Sequence, residues 1–353
     1  MAQIDKPNLH FTATTWSGTG SQQTISLPFQ ADWIWVKNRN NTANHAAQDA
    51  VNGFGSRLSP DRSVTLGSEP NGIGTVSGSG FNFQGDYSGN GYNASGRTYV
   101  SWNWKANGQG SANTTGTINT TYTTANTAAG FSICKWTGTG SAGTIGHGLS
   151  AVPRMIIIKR LDSADTWWVY HASNSSANDS NDAYLALNEQ NAASTSGGSG
   201  LFNSTAPTSS VFSVGTNTGV NGSGGTYVAY VFAEKKGFSR FSQYEGNSST
   251  NGTFVYTGFK PAFLVVKPID ASDNWVMFDN KRLVAINSSV SPHFVYGNQN
   301  NAEITDSKQI DLLSNGFKTR GSGNTTNRSS TFVYWAFAEN PIVGSNDVPA
   351  VAG

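Results

Sequence analysis

Trp33-Ile34-Trp35-Val36-Lys37 is an unbroken apolar run that ends on a lysine, and a version of it occurs three times. The second copy is Met155-Ile156-Ile157-Ile158-Lys159 and the third is Phe263-Leu264-Val265-Val266-Lys267. A second echo follows each one: Thr98-Tyr99-Val100-Ser101-Trp102-Asn103-Trp104, then Thr226-Tyr227-Val228-Ala229-Tyr230, then Thr331-Phe332-Val333-Tyr334-Trp335. The first run leads the second by 66 residues (Trp33 to Tyr99), 72 (Met155 to Tyr227) and 69 (Phe263 to Phe332). Self-similarity at a near-constant period marks a repeat architecture, so the spacing predicts three related units. Continuous apolarity in each lysine-ended run predicts a strand buried on both faces.

Opening strands precede these runs at Phe11 to Trp16, Phe131 to Trp136 and Phe238 to Tyr244, with matching turns at Ser17-Gly18-Thr19-Gly20 and Thr137-Gly138-Thr139-Gly140. The predicted division is an N-terminal arm over 1–9, units at 10–106, 128–235 and 236–340, a flexible Thr/Asn-rich linker at 107–127, and a tail at 341–353. A chain of 353 residues suits this, since single cores rarely grow past about 250–300 residues. His45 to Ser59 reads as a short helix or an irregular excursion. About eight short strands per unit, with turns between them, predict an all-β chain of three tandem antiparallel β-sandwich or jelly-roll domains.

Lys plus Arg (22) nearly cancel Asp plus Glu (21), so no global field draws the chain to a phosphate backbone or an anionic membrane. The 40 glycines and 12% aromatics suit many short strands joined by tight turns. Cys134 is alone, which excludes an intrachain disulfide. No stretch approaches the roughly 18–20 apolar residues of a membrane span, and Met1 to His10 has no signal-peptide core, so the expectation is a soluble chain made in a cytoplasm.

Candidate chemistry is sparse. Cys134 lies in an alternating strand beside Trp136 and reads as a buried thiol. None of the five histidines falls in a spaced metal pair, and His171 reads as a strand-end polar residue. Asp162 with Asp165 and Asp270 with Asp273 occupy equivalent turns, where paired carboxylates and carbonyls can hold Ca²⁺. Aspartates also cap turns by bonding their own backbone, and that reading carries more weight. Unit one has Asn38-Arg39-Asn40-Asn41 at this place. No acid pair stands out as a glycosidase couple. Trp167-Trp168 is the candidate ligand platform: adjacent strand residues face opposite sides, so one leaves the inner face unless both faces are covered.

Phe29-Gln30-Ala31-Asp32-Trp33-Ile34-Trp35-Val36-Lys37-Asn38-Arg39, Tyr99 to Ala106, and the ending Ala338-Glu339-Asn340-Pro341 resemble a family of virion structural proteins from marine tailed bacteriophages. Its members read as concanavalin-like or laminin-G-like sandwiches. Units two and three lack the Asn-Arg after the lysine. The resemblance implies a non-enzymatic virion component assembled in the host cytoplasm: a tail fibre or receptor-binding protein that presents sandwich loops to a host surface glycan. It also implies a homo-oligomer, with a trimer favoured, docked to other virion proteins through its N-terminal arm. It implies no catalytic residues, no nucleic-acid partner and no membrane insertion. The alternatives are a capsid decoration or head-fibre protein, and a secreted polysaccharide-binding or polysaccharide-degrading protein.

Overall fold

The computed structural model describes residues 4, 6–84, 91–174, 181–282, 293–305, 309–323 and 325–340. The expected tail at 341–353 and most of the first five residues lie outside them. Each unit is built on one large sheet with a common order, in which the closing strand lies between the opening strand and the lysine-ended strand. In unit one the order is Phe11–Ser17, Thr98–Trp104, Trp33–Asn38, Ala46–Asp49. Unit three repeats it as Ser239–Glu245, Thr331–Ala338, Pro261–Pro268, Val276–Asp279, with Phe294–Tyr296 added. Unit two runs Thr120–Asn126, Phe131–Thr137, Thr226–Ala233, Pro153–Arg160, Trp168–His171, Leu185–Ala186. Neighbouring strands of these sheets pair antiparallel.

A smaller sheet covers one face of each large one. Its strands are Thr24–Ser26, Gly80–Phe83 and Ile73–Ser77 in unit one, and Gly143–Gly146 with Val211–Val214 in unit two. In unit three they are Phe254–Tyr256, Gly316–Thr319 and Ile310–Leu313. The pleat sends alternate residues to opposite faces. Thus Ile34, Val36 and Tyr99 pack with Phe81 and Phe83 inside unit one. Ile156, Ile158 and Tyr227 pack with Phe212 inside unit two, and Leu264, Val266 and Phe332 with Phe317 inside unit three.

The opposite faces meet one another. Trp33, Trp35, Trp102 and Trp104 of unit one, Met155, Ile157, Tyr230 and Phe232 of unit two, and Phe263, Val265, Trp335 and Phe337 of unit three form a single apolar core. Strand pairing makes Trp104, Phe232 and Phe337 equivalent, each opposite the first apolar residue of its lysine-ended strand. Their rings form a triangle at the centre: 6.4 Å from Trp104 to Phe232, 5.8 Å from Trp104 to Phe337 and 5.8 Å from Phe232 to Phe337. The three units therefore close around an internal pseudo-threefold axis instead of hanging as separate beads. Ile4 from the expected N-terminal arm is also buried in this core.

Several local expectations change. The segment at 107–127 is not a free linker, because Thr120–Asn126 pairs with Phe131–Thr137 as an edge strand. An edge strand needs only one buried face, and Thr120 and Thr124 supply it while Thr120 Oγ1 and Thr123 Oγ1 bond each other at 2.8 Å. His45 to Ser59 contains the strands Ala46–Asp49 and Ser56–Arg57 rather than a helix. Two short helices, Gly198–Phe202 and Thr218–Asn221, lie in stretches rich in Gly, Ser and Asn; Asn217 caps the second by accepting the Gly219 N–H at 2.7 Å.

Candidate functional site

Several buried polar groups bond across the places where the units meet. Strand register makes His45, Trp167 and Trp275 equivalent, and also Tyr296, Ser59 and Ala186. Each ring N–H bonds a carbonyl of the next unit. Trp167 Nε1 lies 3.1 Å from Ser59 O, Trp275 Nε1 lies 2.8 Å from Ala186 O, and His45 Nε2 lies 3.0 Å from Tyr296 O. His45 Nδ1 accepts the Trp35 indole N–H at 2.8 Å, so the proton of this neutral imidazole sits on Nε2. Burial, then the nearby Lys37 charge, hold its pKa well below the usual histidine range.

Two further sets join the same three junctions, the first with donor and acceptor units exchanged. The backbone N–H groups of Glu303, Leu66 and Ala193 donate to Arg39 O, Leu161 O and Ile269 O at 2.7, 2.9 and 2.8 Å. Trp102 Nε1 donates to Asp279 Oδ2 at 3.0 Å and the Tyr230 hydroxyl to Asp49 Oδ2 at 2.7 Å. At the third junction His171 Nε2 faces Tyr334 O at 3.2 Å, while Nδ1 accepts the Ser173 N–H. Burial pushes His171 down to about 4. It is therefore a neutral structural donor and not a base at neutral pH.

The lysines that end the three runs are wholly buried. Lys37 Nζ donates to Asn38 O at 2.7 Å, Lys159 Nζ to Asp165 O at 2.7 Å, and Lys267 Nζ to Pro268 O at 3.0 Å and Gln190 O at 3.1 Å. Burial pulls each ammonium down to about 8. Among the described residues, only the junction of units one and three carries a buried ionic network. Arg282, fully buried, bridges Asp279 at 2.6 Å and Glu303 at 3.0 Å, and Glu303 also pairs with Arg39. Burial alone would raise Glu303, but Arg39 and Arg282 outweigh it and hold the carboxyl at about 2. Sequence reading misses this network because its members are scattered over 264 positions. The available signal is register: Asp49, His171 and Asp279 all lie opposite the first apolar residue of a lysine-ended strand.

The residues singled out from sequence fall into place as follows. Trp167 and Trp168 do face opposite sides, and both sides are covered. Trp167 is fully buried between units one and two, so it offers no surface to a ligand. Trp168 is half-buried, its indole N–H 3.3 Å from Asp165 Oδ1 and its ring edge-on to Tyr184. Asp162 Oδ1 and Asp270 Oδ2 accept the N–H groups of Thr226 and Thr331, the first residues of the closing strands, at 2.9 and 3.1 Å. Asn40 Oδ1 does the same for Thr98 at 3.0 Å, which explains the asparagine in unit one. Arg160 bonds both oxygens of Asp162 and lowers it to about 2. Asp165 and Asp273 accept the next backbone N–H at 2.8 and 2.7 Å, and Asp273 also pairs with Arg328. All four aspartates thus fasten turns. Among the described residues no group of three or more His, Cys, Asp or Glu could hold a metal ion. Cys134 is buried, and burial pushes its thiol up to about 12.

Two outer surfaces stand apart from this internal chemistry. One is an open polar groove of about 380 Å³ whose lining includes Ser111, Asn113, Thr115, Thr123 and Gly148. The other is the strand Phe254–Tyr256, where Phe254 is 46% and Tyr256 65% exposed.

Fold and junctions define an all-β protein of three equivalent units locked around one core. No helix among the described residues is long and apolar enough to cross a membrane. One family model, described as a domain of unknown function (DUF7483), matches residues 6–341, and the chain belongs to that family. The match runs across all three units. No curated protein and no solved structure matches the chain.

Proposed function

We propose that the chain is a non-enzymatic structural protein of a tailed-phage virion, a tail fibre or receptor-binding protein that presents loops of three concanavalin-like jelly-roll domains to a host surface glycan. The observation that carries this reading is where the interior polar groups are used. His45, His171, Lys37, Lys159, Lys267, Asp49 and Asp279 are buried and bonded to groups of their own or a neighbouring unit. Such an interior makes a rigid scaffold and leaves recognition to the outer surface. The motif behind the phage resemblance also fits a scaffold. Asp32 accepts the backbone N–H groups of Ala106 and Gly108 at 2.7 and 3.1 Å, tying the two halves of the motif together.

In this proposal the threefold packing usual for fibres is met within one chain, so any homotrimer uses outer surfaces. Docking to other virion proteins runs through the N-terminal residues beyond Ile4. Immunolabelling of intact particles tests the reading: label at the tail tip is the expected result. Label spread over the capsid would favour a decoration or head-fibre protein. Unlabelled particles, together with hydrolysis of a purified polysaccharide, would replace both with a secreted enzyme.

A further inference from the structure

The three units allow one strand to be compared with its own counterparts. Ile25, Ile145 and Val255 are equivalent, each buried at the centre of the edge strand of the small sheet. The flanking residues point outward. They are Thr24 and Ser26 in unit one and Phe254 and Tyr256 in unit three, with Thr144 and the buried Gly146 at these places in unit two. Among the described residues the only other large hydrophobic left exposed is Val152. The aromatic pair thus breaks the internal symmetry where nothing in the packing calls for it.

Unit two shows what can cover this edge. Its counterpart strand carries a strap from the preceding segment: Thr144 N donates to Thr117 Oγ1 at 2.8 Å, Ile118 N donates to Thr144 O at 3.0 Å, and Ile118 bridges Ile145. The strap fits because unit two has small residues there. A Cβ on Gly143 would lie 2.8 Å from the Ile118 side chain, and one on Gly146 would collide with Asn113. Unit three has Thr253 and Tyr256 at these positions, so the same kind of strap is shut out by bulk. A protein partner needs a contiguous apolar patch of several hundred Å², whereas these two rings stand among polar neighbours.

Those neighbours suit a sugar. Lys318 lies directly across the strand pair from Phe254, its Nζ 2.7 Å from Asn251 Oδ1. Opposite Tyr256 is Gly316, where a Cβ would strike the Val255 carbonyl, so no cross-strand side chain shades the tyrosine ring. Residues two apart on a strand are about 6.6 Å apart, which sets two rings at a separation comparable to successive residues of an extended polysaccharide.

We propose that Phe254 and Tyr256 form a saccharide platform on the outer face of unit three. Successive pyranose residues stack their C–H faces on the two rings, and Lys318 donates to a sugar hydroxyl or carboxylate. The inference rests on the glycan-binding reading above and assigns it a site. The test is affinity electrophoresis of the full chain through gels containing a neutral β-glucan, a galactan or alginate. Wild type is expected to be retarded by at least one, the Phe254→Ala/Tyr256→Ala double variant to bind at least tenfold more weakly, and Thr24→Ala to bind as wild type. Both mutated rings are exposed, and an unchanged melting temperature shows that the double variant folds. Retardation of the double variant equal to wild type would overturn this site and leave the glycan reading standing. Wild type unretarded in all three gels would overturn both.

Discussion

Arg39 in the first unit and Glu303 in the third form a two-pronged ion pair, with Nε and Nη2 each 2.9 Å from a carboxylate oxygen. The other two junctions join units that follow one another in the chain. This one joins the units most distant in sequence, and it is where buried Arg282 adds a second cation to Glu303. The ring is closed by charge at the one junction without a short covalent connection.

Removing the Glu303 carboxylate leaves Arg282 and Arg39 without their shared acid. Breaking a buried pair on one side costs about 3–5 kcal/mol. Glu303→Ala should therefore lower the urea midpoint far more than Arg240→Ala, which removes a largely exposed pair with Glu234 worth under about 1 kcal/mol. The acid limb follows from the same site. Glu303 is held at about 2, below its ordinary 4.5, so its contribution is complete above pH 4.5 and is lost as pH falls toward 2. Equal midpoint losses in the two variants would remove this junction from the account.

One shared core has a calorimetric consequence. The units bury Phe131, Ile133, Trp167, Tyr230 and Phe232 of unit two against units one and three. A fragment spanning 128–235 would expose that whole face to water. Full-length protein should unfold in one calorimetric transition, and the isolated fragment should aggregate or bind a hydrophobic dye. Three separable transitions would mean that the central core contributes little to folding.

Trp104 differs from its equivalents Phe232 and Phe337, and its indole N–H has no acceptor among the described residues. Trp104→Ala should cost about 3–5 kcal/mol by opening a ring-sized cavity on the axis. Trp104→Phe restores the symmetry of the triangle and removes a buried unpaired donor, which offsets part of the lost packing. Its cost should stay below about 1.5 kcal/mol. Chemical denaturation of both variants checks the contrast, and similar losses would place Trp104 outside the axial packing described here.

The lysine-ended and closing strands were legible from sequence almost to the residue, because apolar runs flanked by turns leave few other readings. Burial of the lysine-ended strands on both faces followed from the same runs. What covered the second face was not legible. Burial by another unit and burial by a second sheet write the same apolar letters at Trp33, Trp35, Ile157 and Val265. The equivalence of His45 with Trp167 and Trp275 was hidden for a different reason. The shared property is a ring N–H at one register position, which an imidazole and an indole supply equally well. The Thr-rich stretch before Phe131 read as a linker because its strand satisfies its polar groups locally and needs little apolar content. Phe254 and Tyr256 alternate like core residues, and only comparison with Thr24 and Thr144 in three dimensions sets them apart.

The three buried lysines give the protein an alkaline signature. Each has a folded pKa of about 8, below the ordinary 10.5, so between these values the unfolded chain binds more protons than the folded one. Stability should therefore rise with pH across that window, with the full penalty of burying the ammonium groups felt below about pH 8. Buried Cys134, Tyr230 and Tyr244, whose pKa values burial raises, act in the opposite sense once the unfolded groups begin to ionise. The single thiol offsets part of the rise from about pH 8.5, and the tyrosines end the useful range near pH 9.5. Urea midpoints taken between about pH 7.5 and 9.5 should climb for wild type, and climb less steeply for Lys159→Met, which removes one of the three groups. A flat wild-type profile would mean that the carbonyl cages around Lys37, Lys159 and Lys267 keep the ammonium groups as stable as water does.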